Sequence, residues 1–313
     1  MPLINKNNPM SSSIQNAIDA LNKIILGKPE QIKLAIVCLL AKGHLLIEDL
    51  PGMGKTTLAH AIAKVLGLDF QRIQFTSDLL PGDIIGSAVY QRSNESFKFH
   101  KGPLFTQVVL ADEINRATPK SQSALLEAME EHQVTAEGVT RKLPSPFFVI
   151  ATQNAFHQIG TYPLPESQLD RFLMKISLGY PAREVERHLF KGKDSRELIT
   201  NLKPLLDASI LINYQQQVQK VTVTDKLLDY LQDLIAATRQ TNQWSHGLSP
   251  RAGIALLQAA KSWAAIEDRN YVIPEDIQSV WLAVVEHRLI SQSKVITAEN
   301  PVKEILQKTA IPR

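Results

Sequence analysis

Apolar residues recur with two different rhythms along this chain, and the change from one to the other falls near Pro181. Before it, short apolar runs alternate with segments of helical period. The runs span 44–47, 108–111, 147–151 and 173–178, with an alternating stretch at 70–75. Runs that are continuous rather than alternating suit strands buried on both faces, so the pattern predicts a parallel sheet covered by helices. Ile14, Ala17, Ile18, Leu21 and Ile25 share one helical face behind the caps Ser11, Ser12 and Ser13, and Gly27 is read as ending that helix. Pro29 opens a second helix, apolar almost all round to Ala41, and a third is expected over 55–66.

Two polar interruptions read as hairpins. Between Asp78 and Phe105, Pro81 and Gly82 are expected to break any helix. Apolar arms at Ile84, Ile85, Val89 and Tyr90 and at Phe97 and Phe99 then flank a polar tip, Ser93-Asn94-Glu95-Ser96. The second hairpin turns at Glu137-Gly138 within 133–143. Beyond Pro181 the strand signal stops. Helical periods follow at about 211–220, 225–239, 250–265 and 274–288, with a charged connection from Lys191 to Ser195. The expected organisation is an α/β domain over 1–181 and an all-α domain over 182–313.

Composition narrows the function classes. In 313 residues, 44% hydrophobic, there is enough apolar matter for one large or two modest cores. Lys and Arg number 34 against 31 Asp and Glu, so there is no broad basic footprint of the kind nucleic acid demands. No apolar run approaches membrane-spanning length, and the polar start from Met1 to Ser13 lacks a leader's apolar centre, which makes the cytoplasm the expected compartment. Cys38, alone of its type, lies in an apolar helix and reads as a core residue. The eight histidines are scattered, without metal-ligand spacing.

The chemistry concentrates where apolar runs end. After the 44–47 run comes Glu48-Asp49-Leu50-Pro51-Gly52-Met53-Gly54-Lys55-Thr56-Thr57. Glycines at 52 and 54 let backbone amides approach phosphate oxygens, Lys55 adds a mobile charge, and Thr56 offers a hydroxyl to Mg²⁺. The general pattern asks for glycine where this chain has Asp49. The 108–111 run ends in Asp112-Glu113, a pair suited to a Mg²⁺ shell and to polarising water. The 147–151 run ends in Thr152-Gln153-Asn154. Arg171 precedes a strand, and Arg251 sits in the first turn of a helix opened by Ser249-Pro250, where a cation asks for a nearby anion. Glu127, Glu130 and Glu131 read as a solvated helix face.

Taken with Ala111-Asp112-Glu113-Ile114-Asn115-Arg116-Ala117, Leu164-Pro165-Glu166-Ser167-Gln168-Leu169-Asp170-Arg171-Phe172 and Ser249-Pro250-Arg251, these motifs resemble the MoxR family of AAA+ ATPases over nearly the whole chain. The family's loop reads E-D-x-P-G-x-G-K-T, which accommodates Asp49. The resemblance implies a P-loop α/β domain with a parallel sheet and a hairpin, about 83–105, inserted in its second helix, followed by a helical lid. It implies ATP and Mg²⁺ as ligands, Lys55 and Thr56 as the Walker A pair, Asp112 as the Mg²⁺-shell acid and Glu113 as the base. Asn154 takes the first sensor's place, Arg251 the second's, and Arg171 that of a finger entering a neighbouring subunit, with Arg116 as the alternative. Ile25 and Gly27 would pack on adenine. Where the family has proline after the sensor asparagine, this chain has Ala155-Phe156. The implied activity is ATP-driven remodelling or maturation of a protein client by a homo-oligomeric, hexameric ring, often metal-cofactor insertion, with a von Willebrand factor A-domain adaptor. A DNA-linked motor and a non-hydrolysing scaffold gated by nucleotide are the competing readings.

Overall fold

A computed structural model of the chain describes residues 9–93, 95–154, 160–190, 195–240, 243–290 and 300–311. Residues 1–8 of the polar start, Asn94 at the hairpin tip, Ala155-Phe156 and 191–194 of the charged connection lie outside the described residues.

In chain order, α1 (Pro9–Asn22) and α2 (Pro29–Leu40) precede β1 (Leu45–Glu48), α3 (Lys55–Val65) and β2 (Phe70–Gln74). A short α4 (Pro81–Ile85) leads into the hairpin β3 (Gly86–Gln91) and β4 (Ser96–Lys101), then β5 (Val108–Asp112), α5 (Pro119–Glu131), the hairpin β6 (Gln133–Ala136) and β7 (Val139–Lys142), and β8 (Phe148–Gln153). The four-residue α6 (Glu166–Leu169) and β9 (Met174–Ile176) complete the α/β part. Helices α7 (Arg183–Phe190), α8 (Ser195–Thr200), α9 (Ala208–Gln219), α10 (Asp225–Arg239), α11 (Pro250–Ile266), α12 (Pro274–Val285) and α13 (Pro301–Lys308) follow.

Five strands form one parallel sheet in the order β2-β5-β8-β1-β9. Every residue of β5 is buried, as its continuous apolar run requires. Parallel strands put all their carboxyl ends on one edge, so the polar ends of β1, β5 and β8 arrive together there.

Two local expectations are corrected. Pro81 and Gly82 start a helix instead of breaking one, since proline at the first helical position lacks only an amide that would be unpaired anyway. Ile84 and Ile85 therefore belong to α4, with Ile84 fully buried, and not to a hairpin arm. Earlier in the chain, α1 stops at Asn22, short of Ile25.

The larger hydrophobic core is shared by the two halves of the chain. Met10, Ile14 and Leu21 of α1 and Ile36 and Leu39 of α2 pack with Leu256 and Ala260 of α11 and Trp281 of α12 in a single buried cluster. The Ser11 hydroxyl donates to Ile266 O at 3.2 Å.

At the amino edge of the sheet His44 is buried, its Nδ1 accepting the Val149 amide at 3.0 Å and its Nε2 facing Met129 O at 3.1 Å. That pairing fixes a neutral ring with its proton on Nε2. Burial lowers its pKa from 6.5 to about 4. The native state thus excludes the charged form. Its stabilising contribution is complete above pH 6.5 and lost as pH falls towards about 4. Denaturant titrations should find about 3 kcal/mol less stability from this ring at pH ~4 than at pH ~7, and His44→Gln should flatten that part of the dependence.

Candidate active site

The chain leaves β1 at Glu48 and turns through 49–54 into α3. Gly52 and Gly54 hold φ of +83° and +86°, and no described atom lies within 4 Å of a Cβ built on either. Glycine here answers both to the backbone and to the open space above it, where a group could lie against the main chain. Gly54 is the N-cap of α3, with no described side chain capping the helix, so first-turn amides and the helix dipole face the same space. Pro51, Gly52 and Thr56 are exposed, while Met53, Gly54 and Thr57 are half-buried. Lys55 is buried, and its Nζ donates to Asp49 O at 2.8 Å, Leu50 O at 3.1 Å and Asn154 Oδ1 at 3.4 Å. Burial lowers the pKa of this ammonium, opposed by the charges of Asp49, Asp112 and Glu113.

From Lys55 the polar contacts run through Asn154 to a closed circuit made by Glu113, Gln74, Arg72, Asp112 and Thr152. Asn154 Nδ2 donates to Glu113 Oε1 at 3.3 Å, and Gln74 Nε2 to Glu113 Oε2 at 3.0 Å. Arg72 Nη2 reaches Gln74 Oε1 at 2.6 Å and, with Nε, holds Asp112 Oδ2 at 2.7 and 3.1 Å. The Thr152 hydroxyl donates to Asp112 Oδ1 at 2.6 Å and accepts the Glu113 amide at 2.9 Å. Glu113 has φ +57°, an uncommon conformation for a residue with a side chain, at the point where β5 gives way to a short turn. Arg116 sits 3.2 Å from Glu113 Oε2 in the same chain.

Arg72 and Gln74 are contributors that motif reading passes over, and Thr152, in the polar triplet that ends the 147–151 run, gets no role from it. Their signal was positional: Arg72 and Gln74 alternate around buried Ile73 on the strand next to β5, so both share one face at the end that carries the acids. On the other side of the loop, Ile25 is buried in the larger core and Gly27 lies against Val185 of α7. Lys28 Nζ donates to Tyr180 O at 2.9 Å.

Arg171 and Arg251 are not brought to this circuit. Both converge on Glu130 at the end of α5, Arg171 Nη2 at 3.1 Å and Arg251 Nη1 at 3.0 Å. Asp170 pairs with Arg251 at 3.7 Å and with Arg288 at 2.7 Å. These groups line a cavity of about 230 Å³ together with Lys42. Gly43, His44 and Leu173, the residues just before β1 and β9, also line it. The arginines therefore lie at the amino edge of the sheet and the 49–54 glycine loop at the carboxyl edge. At about 3.3 Å per residue, a four-residue strand alone separates them by about 13 Å. Glu130, read from sequence as a solvated acid, is the carboxylate that holds both guanidinium groups.

The chain matches two family models: the ATPase family associated with various cellular activities (AAA) over residues 44–174, and the AAA lid domain over residues 236–308. It is 44% identical to the uncharacterised protein YeaC of Bacillus subtilis across 95% of this chain and 94% of that one. It is 40% identical to chaperone MoxR1 of Mycobacterium tuberculosis across 96% of this chain and 83% of that protein. The crystal structure of a candidate ATPase from Cytophaga hutchinsonii superposes with a TM-score of 0.89 at 37% identity, covering 97% of this chain and 96% of the other.

Proposed function

Since the chain belongs to the MoxR family of AAA+ ATPases, we propose that it hydrolyses ATP in a site completed between subunits of a homo-oligomeric ring and uses the cycle to remodel a protein client. The observation that carries this reading is the chain of contacts from Lys55 through Asn154 into the closed circuit that holds Glu113 and Asp112, set beside an open glycine loop.

In this reading Lys55, the amides from Gly52 to Thr57 and the start of α3 bind the phosphates. Thr56 and Asp112 offer oxygen ligands that suit Mg²⁺, which would neutralise charge on the terminal phosphates. Glu113 orients the attacking water and accepts its proton, and Asn154, bonded to both Lys55 and Glu113, fixes the distance between phosphate-binding and water-binding groups. Arg72 and Gln74 hold the two carboxylates apart and aimed. Ile25 and Gly27 line the adenine side. Arg171 and Arg251, gathered at the far edge of the sheet, serve the nucleotide of a neighbouring protomer. The hexameric state, the von Willebrand factor A-domain adaptor, metal-cofactor insertion into the client and a cytoplasmic setting complete the proposal on family grounds. Among the described residues no helix is long and apolar enough to cross a membrane.

The test is ATPase rate against protein concentration, with sedimentation on the same samples, for the wild type and Glu113→Gln. Specific activity should rise together with assembly. The Gln variant should bind nucleotide and assemble with kcat reduced by about 10²-fold or more. A persistent monomer with concentration-independent turnover would remove the intersubunit site, and normal turnover by Glu113→Gln would remove its assigned role.

A further inference from the structure

Asp49 stands where the general phosphate-loop pattern has glycine, and its side chain is buried and fully used. One oxygen accepts the Leu50 amide at 2.9 Å. The other accepts the Leu178 amide at 2.6 Å, the Gly179 amide at 2.7 Å and the Ser177 hydroxyl at 3.2 Å. Hydrogen bonds to an ionised acceptor are among the stronger polar contacts in a protein, and here four donors share one carboxylate.

The two ends of this residue touch two different parts of the machine. Its carbonyl, with that of Leu50, holds the Lys55 ammonium, the group a bound phosphate would draw away. Its carboxylate holds residues 177–179, the link by which β9 passes to α7 and the helices beyond. Lys28 pins the same link from the other side through Tyr180 O. A glycine at 49 would keep the carbonyl and lose every contact with the link.

We propose that Asp49 is a positioning residue that ties the phosphate loop to the 177–180 link, so that the partner Lys55 chooses is felt at the start of the helical half. With Lys55 on the loop's own carbonyls, Asp49 is held from both ends. With Lys55 on a phosphate, the main-chain hold at 49 is released, and the carboxylate passes that change to the Leu178 and Gly179 amides. The inference rests on the proposed ATPase reading, which supplies the phosphate that draws Lys55.

Asp49→Gly tests it, because this variant writes the general G-x-x-x-x-G-K-T pattern. If position 49 only has to permit the turn, the variant should work at least as well as the wild type. On the proposal, isolated protomers bind a fluorescent ATP analogue within threefold of wild-type affinity while kcat falls tenfold or more. Hydrogen exchange of the 177–180 peptide, which nucleotide alters in the wild type, becomes fast and insensitive to nucleotide. Asp49→Asn keeps size and one acceptor oxygen, so it should fall between, and it carries the test if a thermal melt finds the glycine variant unfolded. Wild-type kcat in Asp49→Gly, or exchange at 177–180 that still answers to nucleotide, would overturn the inference. A wild-type protein without turnover would sink the ATPase reading alone, since the exchange comparison still decides whether nucleotide reaches the link through Asp49.

Discussion

Alanine at position 55 is expected to reduce kcat/KM for ATP by about 10³-fold or more. Hydrogen bonds to a charged group contribute about 1.5–3 kcal/mol, so losing the ammonium should weaken nucleotide binding by about ten- to a hundredfold. Removing a preorganised donor aimed at developing charge costs a further ~10²–10³ in kcat. Both losses fall on one side chain, because Lys55 lies between the loop carbonyls and Asn154, the residue that also touches Glu113. Titration with a fluorescent nucleotide and steady-state turnover on the same preparation separate the two. Unchanged affinity would remove the 49–57 loop from nucleotide binding.

Arg171→Ala should leave binding nearly unchanged and do as much damage to turnover. An arginine supplied to a phosphoryl-transfer site from a neighbour is worth about 10³–10⁵ in kcat. Arg171 sits on Glu130 at the amino edge of the sheet, away from its own chain's loop, so nucleotide affinity in isolated protomers should stay within about twofold. Fold stability should change by less than ~1 kcal/mol, since the Arg171–Glu130 pair is solvent-accessible and screened. Loss of affinity in dilute protomers would place Arg171 in its own site. Retained turnover would pass the finger role to Arg116, which the structure places on Glu113 of the same chain.

How much of this was readable beforehand depends on whether a residue acts through its local sequence or through a distant neighbour. Strands β1, β5 and β8 announce themselves because burial on both faces forces continuous apolar runs, and their polar ends mark one edge without any further knowledge. Helix α11 is declared by Ser249-Pro250, whose serine caps the Ala252 amide. Other features depend on partners far off in sequence. Asp49 meets Leu178 and Gly179, Arg72 meets Asp112, and Glu130 meets Arg251; no local period encodes such pairs. The same holds for the core shared by α1, α2, α11 and α12, which crosses the boundary expected at residue 181. A composition shift along the chain marks a change of element type, and packing in space need not follow it.

The glycine loop and the arginine pair lie on opposite edges of one sheet, which constrains symmetry. On the proposed division of labour, every protomer is a giver at one edge and a receiver at the other. A twofold dimer makes both contacts only if one self-complementary patch spans the two edges; head-to-tail stacking makes them without that condition. Such stacking is polar. Closed on itself, it yields as many complete sites as subunits; left open, it strands one loop without arginines and one arginine pair without a nucleotide. A protomer broken only at its loop can still give, and one broken only at its arginines can still receive. Two variants that are each inert should therefore restore some turnover when mixed, at the junctions where the intact halves meet.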